Sequence, residues 1–193
     1  DPEKWYALLS PARVQQLNER VDLELLPVNR EVFSEDTPVD LSIAVKNVET
    51  LIVKVYQINT PGFYRREQEE ITTAVDLDGL VPNREETVKY DQPPLRRHEE
   101  TFHFPDLTSP GVYVVEFIGN GRSSRALIRR GRLTCTQRLG AAGHVFTVYD
   151  AGGEKVRNAG AWIGGHEFRA DENGEINVPF THQSGTETIV LQH

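Results

Sequence analysis

From Val21 onward the chain alternates apolar and polar positions with a period of two. Val21, Leu23 and Leu25 are separated by Asp22 and Glu24, which puts the apolar side chains on one face of an extended strand. Pro27 ends that run. Leu41, Ile43 and Val45 repeat the pattern, and Asn47 punctuates it. The run from Leu51 to Ile58 is rich in β-branched residues, and the cluster Asn59-Thr60-Pro61-Gly62 after it predicts a turn. Strong strand patterns return at Glu99–Phe104 and Gly111–Ile118, the second being the most strand-like stretch of the chain. Asn120-Gly121 is the signature of a type I′ hairpin, with Ser123–Arg129 as the returning strand.

The remaining segments are shorter. Ile71–Val75 and Thr87–Tyr90 read as weak strands, separated by turn chemistry at Asp76–Gly79 and Val81–Asn83. Gly131–Gly143 reads as a boundary containing a short strand around Leu133–Thr136. Val145–Tyr149 is a strand and Asp150–Gly153 a turn. Ala161–Ile163 and Phe168–Ala170 flank Gly164-Gly165, and Thr188–Leu191 is the last strand. Asn173-Gly174 predicts a second type I′ hairpin, between Phe168–Ala170 and Ile176–Val178. No helical period is visible after residue 21.

Before residue 21 the signals are helical. Asp1-Pro2-Glu3 and Ser10-Pro11 are both start signals. Trp5, Leu8 and Leu9 share one face, and Val14, Leu17 and Val21 fall at i, i+3 and i+7. The spacing predicts short helices near 2–9 and 11–20, each too short to be stable alone.

Short strands at regular spacing with Gly and Asn turns predict an all-β fold of two antiparallel β-sandwich modules behind a short N-terminal helical segment. The boundaries fall at 1–32 for the helical segment and first strand, 33–131 for the first sandwich and 132–193 for a smaller second one. The length of 193 residues allows one or two domains.

Charge and composition then narrow the chemistry. The formal net charge of −8 disfavours nucleic acid as a partner. No apolar stretch reaches the ~18 residues of a membrane span. The chain begins at Asp1 and contains no Met, as expected of a piece of a longer protein. One cysteine, Cys135, forbids an internal disulfide, and as the centre of Leu-Thr-Cys-Thr it is expected to be a small buried hydrophobe. His98-Glu-Glu-Thr-Phe-His103 lacks the helical zinc spacing, and its odd separation sends the two histidines to opposite faces of a strand. Asp171-Glu-Asn-Gly174 is only the turn of a calcium loop. Glu67, Glu69, Glu70, Asp76 and Asp78 read as a solvated face. Ser123 lacks the nucleophile-elbow glycines, and Gly119-Asn120-Gly121 is too short to cradle phosphate. No residue is therefore assigned to catalysis, to a metal or to a cofactor.

Arg122, Arg125, Arg129 and Arg130, with Arg132 beyond them, are the one basic concentration. Two readings stand. They protect an edge strand and pair with nearby acids, or they form a docking surface for an acidic neighbour. In a strand, Arg125 and Arg129 share a face, while Ala126, Ile128 and Arg130 share the other.

The segments Val148–Ala159 and Ala170–Ile176 resemble a widespread sandwich pattern of strand, Asp, Gly turn, Val and Ala, then strand, Asp, Asn-Gly. It occurs in carboxypeptidase-regulatory-like domains, bacterial immunoglobulin-like repeats and macroglobulin domains. Val45–Val48 with Leu51–Ile58, and Gly111–Phe117 with Ser124–Ile128, resemble strand pairs of bacterial alpha-2-macroglobulin-type proteins. The thioester motif Cys-Gly-Glu-Gln is absent, since Cys135 is followed by Thr-Gln-Arg. The resemblance implies scaffold domains of a large extracytoplasmic protein of the periplasm or envelope. The expected role is a non-catalytic structural and interaction module, partnered by other domains of its parent or by another protein. The alternative is a carbohydrate- or ligand-binding sandwich using Phe63, Tyr64 or Trp162.

Overall fold

The computed structural model describes residues 8–181 and 185–193. The helix expected near 2–9 lies outside them except for Leu8 and Leu9, which form no helix. The helix expected near 11–20 is present as α1 (Pro11–Glu19), capped by Ser10. None of its residues is buried. It is held by its C-terminal end: Lys46 Nζ donates to the carbonyls of Leu17 and Arg20, and Asn47 Nδ2 donates to Asn18 O at 2.8 Å. These contacts satisfy carbonyls that a helix end leaves open.

Two sheets follow. One orders β1 (Asp22–Leu25), β3 (Asp40–Lys46) and β6 (Arg97–His103), all antiparallel. The other orders β2 (Val32–Phe33), β8 (Arg122–Arg130), β7 (Gly111–Gly119), β4 (Thr50–Ile58) and β5 (Arg84–Lys89), with β2 parallel to β8 and the rest antiparallel. Leu41, Ile43 and Val45 of the first sheet pack on Leu51, Val53, Val115, Phe117 and Ile128 of the second. Phe102 and Phe117 meet edge-to-face across the gap, with centroids 5.3 Å apart. The predicted hairpin at Asn120-Gly121 is present, with positive φ at both residues (44° and 72°) as a type I′ turn requires.

The five-stranded sheet is covered on both faces. A second apolar layer joins Tyr56, Val112, Val114 and Leu127 to Ile71 and Leu77. This is why Val112–Phe117 is buried without a break instead of alternating. The cover corrects two sequence expectations. Asn59–Gly62 is no turn between strands: it opens helix α2 (Thr60–Glu67), with Asn59 Oδ1 accepting from Gly62 N and proline in the first turn. Pro61 and Gly62 fit a helix start as well as a turn. Ile71–Val75 is no strand either. Ile71 is fully buried and precedes a turn, Thr72–Val75, closed by Val75 N to Thr72 O at 3.1 Å.

The second unit also has two sheets. One orders β13 (Ile176–Pro179), β10 (Gly143–Tyr149) and β9 (Thr134–Leu139); the other orders β12 (His166–Arg169), β11 (Gly160–Ile163) and β14 (Ile189–Gln192). Phe146, Val148, Val156, Ala159, Ala161 and Ile176 fill the space between them. The hairpin expected at Asn173-Gly174 is a crossing instead. β12 and β13 belong to different sheets, linked through the isolated bridge Ala170↔Ile176 and the bond from Asp171 N to Glu175 O. Only Gly174 has positive φ (70°), so the turn is not type I′. Asp171 Oδ1 shapes it by accepting from Asn173 N and Glu175 N. Asp150 Oδ1 does the same with Gly152 N and Glu154 N after β10.

Candidate interaction surface

The arginines of β8 are divided by the pleat. Ala126 and Ile128 face the inter-sheet core, while Leu127 joins the outer layer and Arg125 and Arg129 flank it. Arg125 Nε donates to Glu116 Oε1 at 2.8 Å, and its Nη1 donates to Val75 O at 3.1 Å. Glu116 is only 8% exposed, so Arg125 neutralises a buried carboxylate on the neighbouring strand.

Arg129 is saturated. Nε reaches Glu31 at 2.8 Å, Nη1 reaches Glu70 at 2.9 Å and Tyr64 Oη at 3.2 Å, and Nη2 reaches Ile71 O at 2.6 Å. Burial acts against its charge, but the bonds to Glu31 and Tyr64 outweigh it and hold its pKa above the ordinary value. Burial also pushes the Tyr64 phenol up, partly offset by the Arg129 bond. Arg130 is buried and donates to the carbonyls of Glu35, Thr37 and Thr108. Arg122 is exposed at the opposite end of the strand, beside Glu19, Asp22 and Glu24. The nine-residue strand separates it from Arg130 by about 27 Å. Of the four, three tie loops to the sheet and one faces solvent; they do not converge.

Residues 51–131 match the AbpF first immunoglobulin-like domain. The whole chain is similar to Actin-binding protein F of Dictyostelium discoideum, with 37% identity over 98% of this chain. The chain spans 8% of the length of that relative. Among solved structures, native alpha-2-macroglobulin from Escherichia coli, spanning domains MG0-NIE-MG1, is similar over 89% of this chain and 64% of that one, with a TM-score of 0.51 and 11% identity. A second structure of that protein, spanning NIE-MG1, covers 89% of this chain and 98% of that one, with a TM-score of 0.47 and 11% identity. The chain thus has the β-sandwich fold that its strand pattern implied, of the immunoglobulin-like and macroglobulin-like kind that the resemblance implied.

The immunoglobulin-like unit meets the second unit through a polar joint. Arg65 of α2 donates to Gln192 Oε1 at 3.0 Å and lies 3.7 Å from Glu167, which also accepts from Gln192. A cleft of about 670 Å³ opens beside it, lined by Tyr64, Arg129, Arg132, Leu133, Ile189 and Leu191. Its arginine and tyrosine from the first unit already have partners. The three candidate aromatics form no common platform. Phe63 and Tyr64 stand at 85° to each other, Tyr64 Oη is engaged by Arg129 and Glu70, and Trp162 lies on β11 of the other unit.

His98 faces inward on β6. Its ring nitrogens are buried without a hydrogen-bond partner, and its ring lies 4.9 Å from that of Tyr90. Tyr90 in turn donates to Glu100. His103 is exposed and paired with Asp40 at 2.7 Å, on the opposite face as its odd spacing from His98 dictates. Among the described residues no three His, Cys, Asp or Glu groups converge as metal ligands. Cys135 corrects the expectation of a buried residue. It is exposed, because β9 is an edge strand covered on neither face. Partial desolvation pushes its thiol pKa up, which disfavours a reactive thiolate. Sequence pattern shows a strand here but not which strands lie at an edge.

Proposed function

We propose that this chain is a non-catalytic structural and interaction module, a pair of sandwich units from a longer multidomain protein. Its partners are the other domains of that protein or a separate protein other than the actin filament itself. The observation that carries the reading is the use of charge. The strand richest in arginine binds the chain's own loops and buried Glu116, so three of its four arginines are committed to internal packing. The division at 1–32, 33–131 and 132–193 is part of the proposal, and the family match over 51–131 ends where the middle unit does. Within this reading Arg125, Arg129 and Arg130 serve the unit's own packing, and Arg122 is the member available to a neighbour.

The relative named for actin binding supports a parent that works with actin. An extracytoplasmic location draws its support from the E. coli neighbour, whose likeness is one of fold, so the proposal follows the sequence relative. The test is sedimentation of the 193-residue chain with filamentous actin. A module acting through its neighbours stays in the supernatant. Saturable co-pelleting would replace this reading with direct filament binding.

A further inference from the structure

Four sheets have eight edge strands among the described residues, and seven are guarded. β2 has two residues. β1, β12, β13 and β14 have four each: β1 carries Asp22 and Glu24, β12 carries Glu167 and Arg169, β13 ends in Pro179, and β14 borders α2. β5 carries Arg84, Glu85, Glu86 and Lys89, and β6 carries Arg97, Glu99, Glu100 and His103. Short length, charge and proline are the usual protections against strand addition. β9 is guarded least: it is six residues long, exposed at every one, and carries a single charged side chain, Arg138, which lies 2.7 Å from Glu175 and is still 59% exposed.

The open edge has defined main-chain groups. Gly140 N donates to Gly143 O at 2.8 Å. Antiparallel pairs alternate, so the hydrogen-bonded pairs continue at Arg138–Val145, Thr136–Thr147 and Thr134–Tyr149. The N–H and C=O groups of Cys135, Gln137 and Leu139 therefore point away from β10, toward the edge. Side chains divide by face in the same register. Thr134, Thr136 and Arg138, with Arg132 preceding them, lie on one face. Cys135, Gln137 and Leu139, with Leu133 preceding, lie on the other. There Leu139 is 72% exposed opposite His144, whose ring meets the 53% exposed Phe180 at 5.2 Å.

Charge selects the occupant. From Gly131 to Tyr149 the only charged side chains are Arg132 and Arg138, with no Asp or Glu, in a chain of net charge −8. A second copy of β9 would set Arg138 among its own kind. Resting on the module reading above, we propose that the open edge of β9 is a strand-addition site for an extended acidic segment of a partner protein. That segment sets carboxylates beside Arg132 and Arg138, and apolar side chains beside Leu133 and Leu139. Main-chain bonds supply affinity and the two faces supply specificity.

The test titrates the isotope-labelled chain with a blocked peptide of alternating Glu and Val. Expected are saturable NMR shifts centred on residues 132–140, with amide exchange at Cys135, Gln137 and Leu139 slowed by at least about tenfold at saturation. A Lys–Val peptide should not produce them. Cys135→Pro removes an outward N–H without breaking the β9–β10 ladder, and should abolish binding while the spectrum elsewhere is unchanged. Arg138→Glu should reverse the preference to the Lys–Val peptide. Absence of shifts at β9, equal response to both peptides, or undiminished binding by folded Cys135→Pro would overturn the proposal. Actin co-pelleting would overturn the module reading without altering the peptide result, so the two fail separately.

Discussion

Arg129 on β8 donates to the backbone carbonyl of Ile71 at 2.6 Å, across 58 residues of sequence. That bond fixes the start of the loop that roofs the outer face of the five-stranded sheet. Ile71 and Leu77 then drop into the layer formed by Tyr56, Val112, Val114 and Leu127.

Replacing Arg129 with Ala should therefore loosen the roof as well as remove charge. The expected loss is about 1.5–3 kcal/mol, the range for hydrogen bonds that involve a charged group. Glu70→Ala, at a carboxylate 76% exposed, should cost less than about 0.5 kcal/mol. Urea denaturation of the two variants checks the contrast, and equal losses would show that the carbonyl bond matters little.

Arg125→Leu strands the carboxylate of Glu116, which is 8% exposed. An uncompensated buried charge costs about 3 kcal/mol or more. Removing both partners, as Arg125→Leu with Glu116→Leu, should recover most of that loss. A double-mutant cycle measures the coupling, and additive losses would contradict the pairing.

Alkali should destabilise the fold through its tyrosines. Burial pushes the phenols of Tyr90, Tyr64 and Tyr113 above 10.0, and for Tyr90 the Glu100 bond adds to it. The unfolded chain loses these protons first, so their stabilisation is full below about pH 10 and is lost as pH climbs through the folded values. Lys46 runs the other way. Burial lowers its pKa despite Asp22, so its contribution rises with pH up to 10.5. Melting temperature should fall steeply only above about pH 10. Tyr90→Phe should flatten that fall.

The joint between the units rests on Arg65 with Glu167 and Gln192, all partly exposed. Such pairs contribute less than about 1 kcal/mol and weaken with salt. Arg65→Ala should leave the melting of both units nearly unchanged, while small-angle scattering shows a wider spread of shapes. A drop in melting temperature of many degrees would mean that the units stabilise each other through contacts beyond this one.

Local chemistry was enough to determine much of this protein. Alternation at Leu41–Val45 and β-branched density at Leu51–Ile58 specify strands because a pleated chain sends neighbours to opposite faces. Asn120-Gly121 specifies its hairpin because both residues tolerate positive φ. The odd spacing of His98 and His103 alone placed them on opposite faces. What the tertiary structure decided is how strands are arranged and what covers them. Asn59–Gly62 and Asn173-Gly174 carry turn residues that serve a helix cap or a crossing between sheets equally well, and the choice lies with distant packing. Cys135 sits in a strand pattern like that of a core residue, yet β9 has neighbours on one side only. Arg125, Arg129 and Arg130 are three similar charges in sequence. Only the return of Glu116, Ile71, Glu35 and Thr37 to their side, through contacts across 9 to 95 residues, gives them partners, because a side chain's environment is set by the chain segments that fold against it.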